Sequence, residues 1–287
     1  MWKLALLSVI GCGAFFRSLY ERRTLAVSTY KLETDKIAQN KTFVFLSDLH
    51  DNCFGEGQKR LLDAIDKEKP DAILIGGDMM VVKNRADTDA ALFLVEKLSR
   101  KYPVYYGNGN HENRMEQNRN QYGDQYERFV ESLGKLKVRH LSDSAADLDG
   151  QVRIYGLDIQ EPYYQKFGKR IMKEQYIENR LGKGDSKKYR ILLAHSPMFH
   201  EAYAQWGADL ALCGHFHGGT IRIPGLGGVM TPQFQFFRKC CGGIHRINNK
   251  TMIVSRGLGT HSVNIRLNNK PELVVIRLSP LRVTDPR

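Results

Sequence analysis

Cysteine is scarce and unpatterned in this chain: five residues, Cys12, Cys53, Cys213, Cys240 and Cys241, an odd number with no C-x-x-C spacing. That excludes a disulfide framework and fits a reducing compartment. Beyond residue 40 there is no internal repeat, low-complexity tract or Pro/Gly-rich linker, which leaves one compact domain as the economical reading. Acidic residues are in deficit, with Asp+Glu 31 against Lys+Arg 43 and a formal net charge of +12. Such a surface suits anionic partners, whether phosphate compounds, lipid headgroups or nucleic acid. No nucleic-acid motif or stacking platform is present, so no nucleic-acid partner is expected. An apolar content of 42% and a charged content of 26% still allow an ordinary globular core.

Long hydrophobic runs are also missing. The longest near the start, Leu4 to Phe16 ("LALLSVIGCGAFF"), is shorter than the roughly 17–25 residues of a spanning helix. Met1 to Tyr20 reaches that length if the heads of Lys3 and Arg17 snorkel to the interfaces. On that basis residues 1–23 are expected to be a hydrophobic membrane anchor with a basic flank, and 24–287 a single domain. The cluster Arg17, Arg22, Arg23 and Lys31 then puts that domain in the cytoplasm, against an anionic membrane surface. A cleaved signal peptide is the competing reading, and it lacks a good A-x-A site. A lipoprotein box ending at Cys12 ("VIGC") would reverse the sidedness.

The remainder alternates strand and helix. Apolar runs "TFVFLSD" (Thr42 to Asp48), "AILIGGD" (Ala72 to Asp78) and "PVYYGNGN" (Pro103 to Asn110) are separated by helical patterns over Gly57 to Lys69 and Thr88 to Arg100. "RILLAHS" and "DLALCGH" add two more buried-type strands, and hairpin-like segments follow residue 218. Strand, helix, strand in succession predicts parallel pairing with right-handed crossovers, hence an α/β fold.

Polar residues fall where these runs end. Asp48 and His50, Asp78, Asn110, His195, and the pair His215 and His217 in "LCGHFHGG" all sit at the carboxyl edge, where open α/β sheets bind ligands. The donors are carboxylates, an amide and imidazoles without a thiolate, a set suited to manganese, iron, zinc or magnesium. Seven side chains exceed one four-coordinate ion and suit two ions sharing a carboxylate, about 3.5–4 Å apart.

The order and spacing of Asp48–His50, Gly77–Asp78, Gly109 to Glu112, His195 and Gly214 to His217 resemble the calcineurin-like metallophosphoesterase superfamily, with its DxH, GD, GNH[D/E], H and GHxH blocks. The resemblance implies a four-layer α-β-β-α sandwich with the metal site at the carboxyl ends of the strands, and a domain of that family over 24–287. It implies two divalent ions, manganese first among them, held by Asp48, His50 and His217 and by Asn110, His195 and His215, with Asp78 bridging. It assigns His111, oriented by Glu112, the catalytic role of protonating or hydrogen-bonding the leaving group while metal-activated hydroxide attacks phosphorus.

"GGTIRIPGLGGV", "SRGLGTHSVNIRLNNKPELVVIRL" and the N-terminal segment are similar to the bacterial membrane-associated branch, which includes phosphodiesterases and UDP-2,3-diacylglucosamine hydrolases. The expected substrate is therefore a phosphodiester or pyrophosphate, lipid- or nucleotide-linked. A broad nucleotide or cyclic-nucleotide phosphodiesterase and a non-catalytic scaffold on the same fold are the alternatives. Residues 160–190 and Gln233 to Cys241 read as a lid, an interfacial surface or plain solvated segments. His140, His200, His245 and His261 are expected in surface or hydrogen-bonded structural roles, and Cys213 in the core. Arg256 is left between a phosphate contact and a structural role.

Overall fold

Phe43 and Phe45 face one way along their strand, Val44 and Leu46 the other, and all four are fully buried. A run that is apolar at every position must be covered on both faces, and a sandwich of two sheets with helices outside does that. The computed structural model describes residues 2–83, 86–165, 170–231, 235–260 and 264–281.

Its strands are β1 (Ala26–Thr34), β2 (Lys41–Leu46), β3 (Ala72–Ile75), β4 (Val104–Gly107), β5 (Arg139–Leu141), β6 (Ser144–Asp147), β7 (Val152–Gly156), β8 (Tyr189–Leu193), β9 (Leu210–Cys213), β10 (Arg222–Ile223), β11 (Gly227–Gly228), β12 (Gly243–Ile247), β13 (Lys250–Val254) and β14 (Glu272–Pro280). The helices are α1 (Trp2–Arg22), α2 (Lys59–Glu68), α3 (Asp89–Ser99), α4 (Asn110–Gln117), α5 (Arg119–Tyr122), α6 (Gln125–Lys135), α7 (Glu174–Leu181) and α8 (His200–Trp206).

One six-stranded sheet runs β1-β14-β2-β3-β4-β5 and the other β12-β13-β9-β8-β7-β6. Within them β2 to β5 are mutually parallel, as are β13, β9, β8 and β7. Phe43, Phe45, Leu74 and Tyr105 of the first sheet meet Ile154, Ile191, Leu193 and Leu212 of the second in the central layer. Outside the first sheet, Val44, Ile73 and Tyr106 pack on Leu61 of α2, Leu94 of α3 and Phe129 of α6. Outside the second, Leu192, Ala211 and Val254 pack on Ile177 of α7 and Tyr203 and Trp206 of α8. This is the expected four-layer α-β-β-α arrangement.

Two strand features depart from the sequence reading. β14 enters no hairpin: it lies between β1, to which it is parallel, and β2, to which it is antiparallel. β1 itself escapes the apolar-run criterion because its burial alternates along a half-exposed edge.

The expectation that residues 1–23 anchor the chain in a membrane is overturned, and the cytoplasmic placement drawn from the basic flank falls with it. Among the described residues no helix is long and apolar enough to cross a membrane. α1 covers 21 residues, but its final turns carry Arg17, Glu21 and Arg22, of which Glu21, together with Ser18, engages the loop before β14. Glu21 is fully buried, accepting hydrogen bonds from the Asn269 backbone N–H (2.8 Å) and Arg17 Nε (2.7 Å). Ser18 Oγ accepts from the Arg266 backbone N–H at 3.0 Å. The end of α1 read as a membrane flank thus docks, through Ser18 and Glu21, on the loop before β14.

Candidate metal centre and active site

The carboxyl ends of β2, β3 and β4 in one sheet and of β8 and β9 in the other deliver their polar residues to a common place. The structure brings all seven predicted ligands together there. Asp48, His50 and His217 form one cluster of candidate ligand atoms, and Asp78, His195 and His215 another, every residue buried. Asp78 also groups with His50 and His111, so its carboxylate lies between the two clusters.

Turning so many side chains toward one point bends the backbone. Asp48, His50, Asp78, His215 and His217 all have φ between 45° and 68°, a left-handed conformation that costs non-glycine residues about 1 kcal/mol or more each. The motif glycines have a different cause, close approach. A Cβ on Gly214 would lie 2.2 Å from Asp48 Oδ2, and one on Gly109 would lie 2.3 Å from Asp78 Oδ1.

The donor geometry fits divalent cations. His50 Nε2 is 3.1 Å from His217 Nε2, and His217 Nε2 is 3.3 Å from Asp48 Oδ1. His195 Nε2 is 3.2 Å from Asp78 Oδ2 and 3.7 Å from Asp48 Oδ1. Ligand atoms about 2.1 Å from a tetrahedrally coordinated ion stand roughly 3.4 Å apart, inside that range. Two imidazoles have their outer nitrogens engaged as metal ligands usually do: His195 Nδ1–H donates to the Gly76 carbonyl at 2.7 Å and His217 Nδ1–H to the Gly259 carbonyl at 3.1 Å. Both therefore turn Nε2 inward.

Asn110 supplies a separate test. Its amide oxygen stands 2.8 Å from His215 Nδ1 and 3.3 Å from Asp78 Oδ2, and a reversed amide would donate to both. Hydrogen bonding alone favours the reversal. Three electron-pair donors converging on one point is the arrangement a cation requires, so the donor set supports the oxygen-inward orientation.

Charge follows the same logic. Burial works to raise Asp78, but His195, His111 and His50 hold it well below the usual carboxylate range. Burial keeps His215 and His217 below the ordinary imidazole value. His195 is the exception: burial lowers it, yet Asp78 and Asp48 beside it push it up to about 10.

His111 differs from the other imidazoles. Its Nδ1 accepts the Val82 backbone N–H at 2.7 Å, so the neutral ring carries its proton on Nε2. Its own backbone N–H donates to Asp78 Oδ1 at 2.8 Å. The sequence reading gave Glu112 the task of orienting this ring. Instead Glu112 accepts from the backbone N–H groups of Asp78 (2.9 Å), Met79 (3.1 Å) and Gly109 (3.0 Å) and from Tyr106 OH (2.6 Å). It locks the β3 and β4 loops to each other, and Val82 sets the His111 tautomer. Neither role has a side-chain signature beyond the acidic residue of the GNH[D/E] block.

Other singled-out residues find ordinary places. His140 Nε2 is 2.9 Å from Asn108 Oδ1, and burial pushes it down to about 4. His200 is buried and His245 half-buried, and burial lowers both. Cys213 is core. Arg256 pairs with Glu272 at 3.1 Å, the structural alternative. In the 160–190 segment, Tyr164 brings its ring to 5.0 Å from that of His215, a neighbour the sequence did not point to, and Ile177 of α7 is core. His261, residues 166–169 and residues 233–234 lie outside the described residues.

The chain is 27% identical over 271 residues to a metallophosphoesterase of Aquifex aeolicus (strain VF5), covering 93% of this chain and 95% of that one. It is 25% identical over 238 residues to the phosphodiesterase YaeI of Escherichia coli (strain K12), covering 82% and 81%. Among solved structures it is similar to TT1561 of Thermus thermophilus, with a TM-score of 0.46 and 12% identity over 76% of this chain and 90% of that one. The family model for calcineurin-like phosphoesterases matches residues 41–219, the interval that contains every residue of the two clusters, and the chain belongs to that family of phosphoester hydrolases.

Proposed function

We propose that this chain is a two-metal phosphodiesterase that hydrolyses phosphodiester or pyrophosphate bonds of nucleotide- or lipid-linked substrates, with residues 24–287 as its single catalytic domain. Asp48, His50 and His217 would hold one divalent cation and Asn110, His195 and His215 the other, with Asp78 between them. The observation that carries this is the position of Asp78 Oδ2, 3.2 Å from His195 Nε2 of one cluster and 3.8 Å from His50 Nε2 of the other. Manganese suits a donor set of carboxylate, amide and imidazole. The bound pair would supply hydroxide near neutral pH and draw charge from the phosphoryl oxygens. The name of the YaeI relative supports a diester as the preferred substrate.

The protein's own part is proton placement. Because Val82 N–H occupies His111 Nδ1, the ring presents Nε2–H, from which a leaving oxygen can accept a hydrogen bond. Burial holds His111 below its ordinary value, so it meets the substrate as a neutral donor. The bond from its backbone N–H to Asp78 Oδ1 ties that donor to the shared carboxylate.

The test is hydrolysis of bis-p-nitrophenyl phosphate, p-nitrophenyl phosphate, UDP-diacylglucosamine and a cyclic nucleotide with manganese, beside an Asp78→Ala control and elemental analysis. Turnover of the diester above the monoester, with two ions per chain and loss of both in the control, is the expected result. Preference for the cyclic nucleotide would move the assignment to the cyclic-nucleotide alternative, and a protein that takes up no metal would overturn it.

A further inference from the structure

Beside His50 opens a cavity of about 350 Å³ whose walls include Arg22, Asp51, Asn52, Thr260 and Asn264. One wall is the last turn of α1. Glu21 and Ser18, buried against the loop before β14 through the bonds to Asn269 and Arg266, fix that turn and with it the root of Arg22. Among the described residues Arg22 forms no ion pair, and its Nε is buried without a hydrogen-bond partner.

Most of the other polar groups in the wall are engaged by the protein, and Asp51, the one carboxylate among them, forms no ion pair with Arg22 among the described residues. Arg266 is fully buried and donates to the carbonyls of Asn269, Arg256, Gly257 and Gly259 at 2.5–3.1 Å. Asn52 Nδ2 donates to the Leu258 carbonyl at 2.8 Å, Thr260 Oγ1 to Asn264 Oδ1 at 2.6 Å, and Asp51 Oδ2 accepts from Val81 N–H at 3.2 Å. A half-buried guanidinium held in place without a counter-charge is a receptor for a planar or tetrahedral oxyanion. His50 belongs both to this cavity and to the candidate centre, so a single molecule can occupy both.

We propose that Arg22 forms a second anion subsite, which receives a phosphate of the substrate other than the one cleaved and so favours phosphodiester and pyrophosphate substrates bearing a further phosphate. This rests on the reading of the adjoining centre as the place of hydrolysis. It gives α1 a role in substrate selection.

The deciding experiment uses the full chain with manganese and a matched pair of substrates, thymidine 5′-(p-nitrophenyl phosphate) with and without a 3′-phosphate. The scissile bond is the same in both. The wild type should show a KM about tenfold lower for the 3′-phosphorylated ester, the order of one charge-assisted hydrogen bond. Arg22→Gln should bring the ratio of the two KM values to about one, and Arg22→Lys should restore part of it. A wild type without the preference, an Arg22→Gln variant that keeps it, or one that shifts both esters alike would overturn the subsite. If the metal-loaded wild type hydrolyses neither ester, the hydrolytic assignment fails by itself. Calorimetric binding of inorganic pyrophosphate to chelator-treated protein then judges the subsite: about tenfold weaker binding in Arg22→Gln sustains it, and equal affinity or no binding by the wild type removes it.

Discussion

Replacing Glu112 tests whether the candidate centre is held by its scaffold or only by its ligands. This carboxylate is fully buried and accepts four hydrogen bonds, from the N–H groups of Asp78, Met79 and Gly109 and from Tyr106 OH. Burial and the nearby Asp78 charge push its pKa up, and the donors from Tyr106 and the backbone oppose them. In Glu112→Gln the amide can turn its NH2 toward Tyr106, whose hydroxyl can reverse to accept, and only Met79 N–H is then orphaned. One unsatisfied buried donor costs about 1–3 kcal/mol, and relief of repulsion from Asp78 offsets part of it, for a net loss of about 2 kcal/mol. Glu112→Ala orphans three backbone donors, about 3–9 kcal/mol by the same reckoning, against a total stability of about 5–15 kcal/mol for a typical domain. Urea unfolding of the metal-free proteins, with manganese stoichiometry read in parallel, measures both. Glu112→Gln should remain folded with weaker metal binding, because the loops presenting Asp78 and Asn110 lose a tie. Unfolding free energies for both variants within about 0.5 kcal/mol of the wild type, with metal binding unchanged, would refute the reasoning.

Three further outcomes are expected. His111→Ala should lower kcat by roughly 10²–10⁴-fold while elemental analysis finds both ions retained; metal loss would make His111 a ligand. In the metal-free protein His195 is pushed up from 6.5 to about 10, so its contribution to stability is complete below pH 6.5 and disappears as pH rises through about 10. Manganese binding at pH 7 should accordingly release a proton, seen as dependence of the calorimetric heat on buffer ionisation enthalpy, and a buffer-independent heat would contradict the charged His195. Asp158, just past β7, accepts hydrogen bonds from Ser142 Oγ and, at 3.3 Å, from Asn108 Nδ2, and burial pushes it from 3.8 up to about 7, so the wild type loses stability as pH rises from 3.8 through 7. The full shift corresponds to at most about 4 kcal/mol; Asp158→Asn should be more stable than wild type at pH 8 and nearly equal to it at pH 4, and the reverse order would show that the carboxylate is stabilised as an anion.

Legibility in the sequence tracked the kind of signal involved. β2, β3, β4, β8 and β9 were visible because their residues are apolar on both faces and end in polar residues, and the convergence of the candidate ligands was visible because those ends supply compatible donors. β1 was not, since "AVSTYKLET" mixes polarities along an edge that is covered on one side only. The tasks of Glu112 and Val82 depend on backbone N–H groups, which every non-proline residue possesses and no motif encodes. For α1 the apolar run before Arg17 was the stronger signal and the wrong one. The clue to its docking was an acidic residue, Glu21, four positions after Arg17, within a segment read as basic.

The position of β14 has a consequence during biosynthesis. β1 is made early, but its neighbour in the sheet is β14, which begins at Glu272. At about 5–20 residues per second, β1 waits on the order of 10–50 s for that partner to be translated, and the free edge of β2 waits with it. All the candidate ligands will have been translated by His217 while the first sheet still has a gap between its edge strand β1 and β2. The nascent chain therefore carries two unpaired strand edges, facing each other across that gap, until β14 is made, an interval in which a chaperone that shields strand edges would find both exposed.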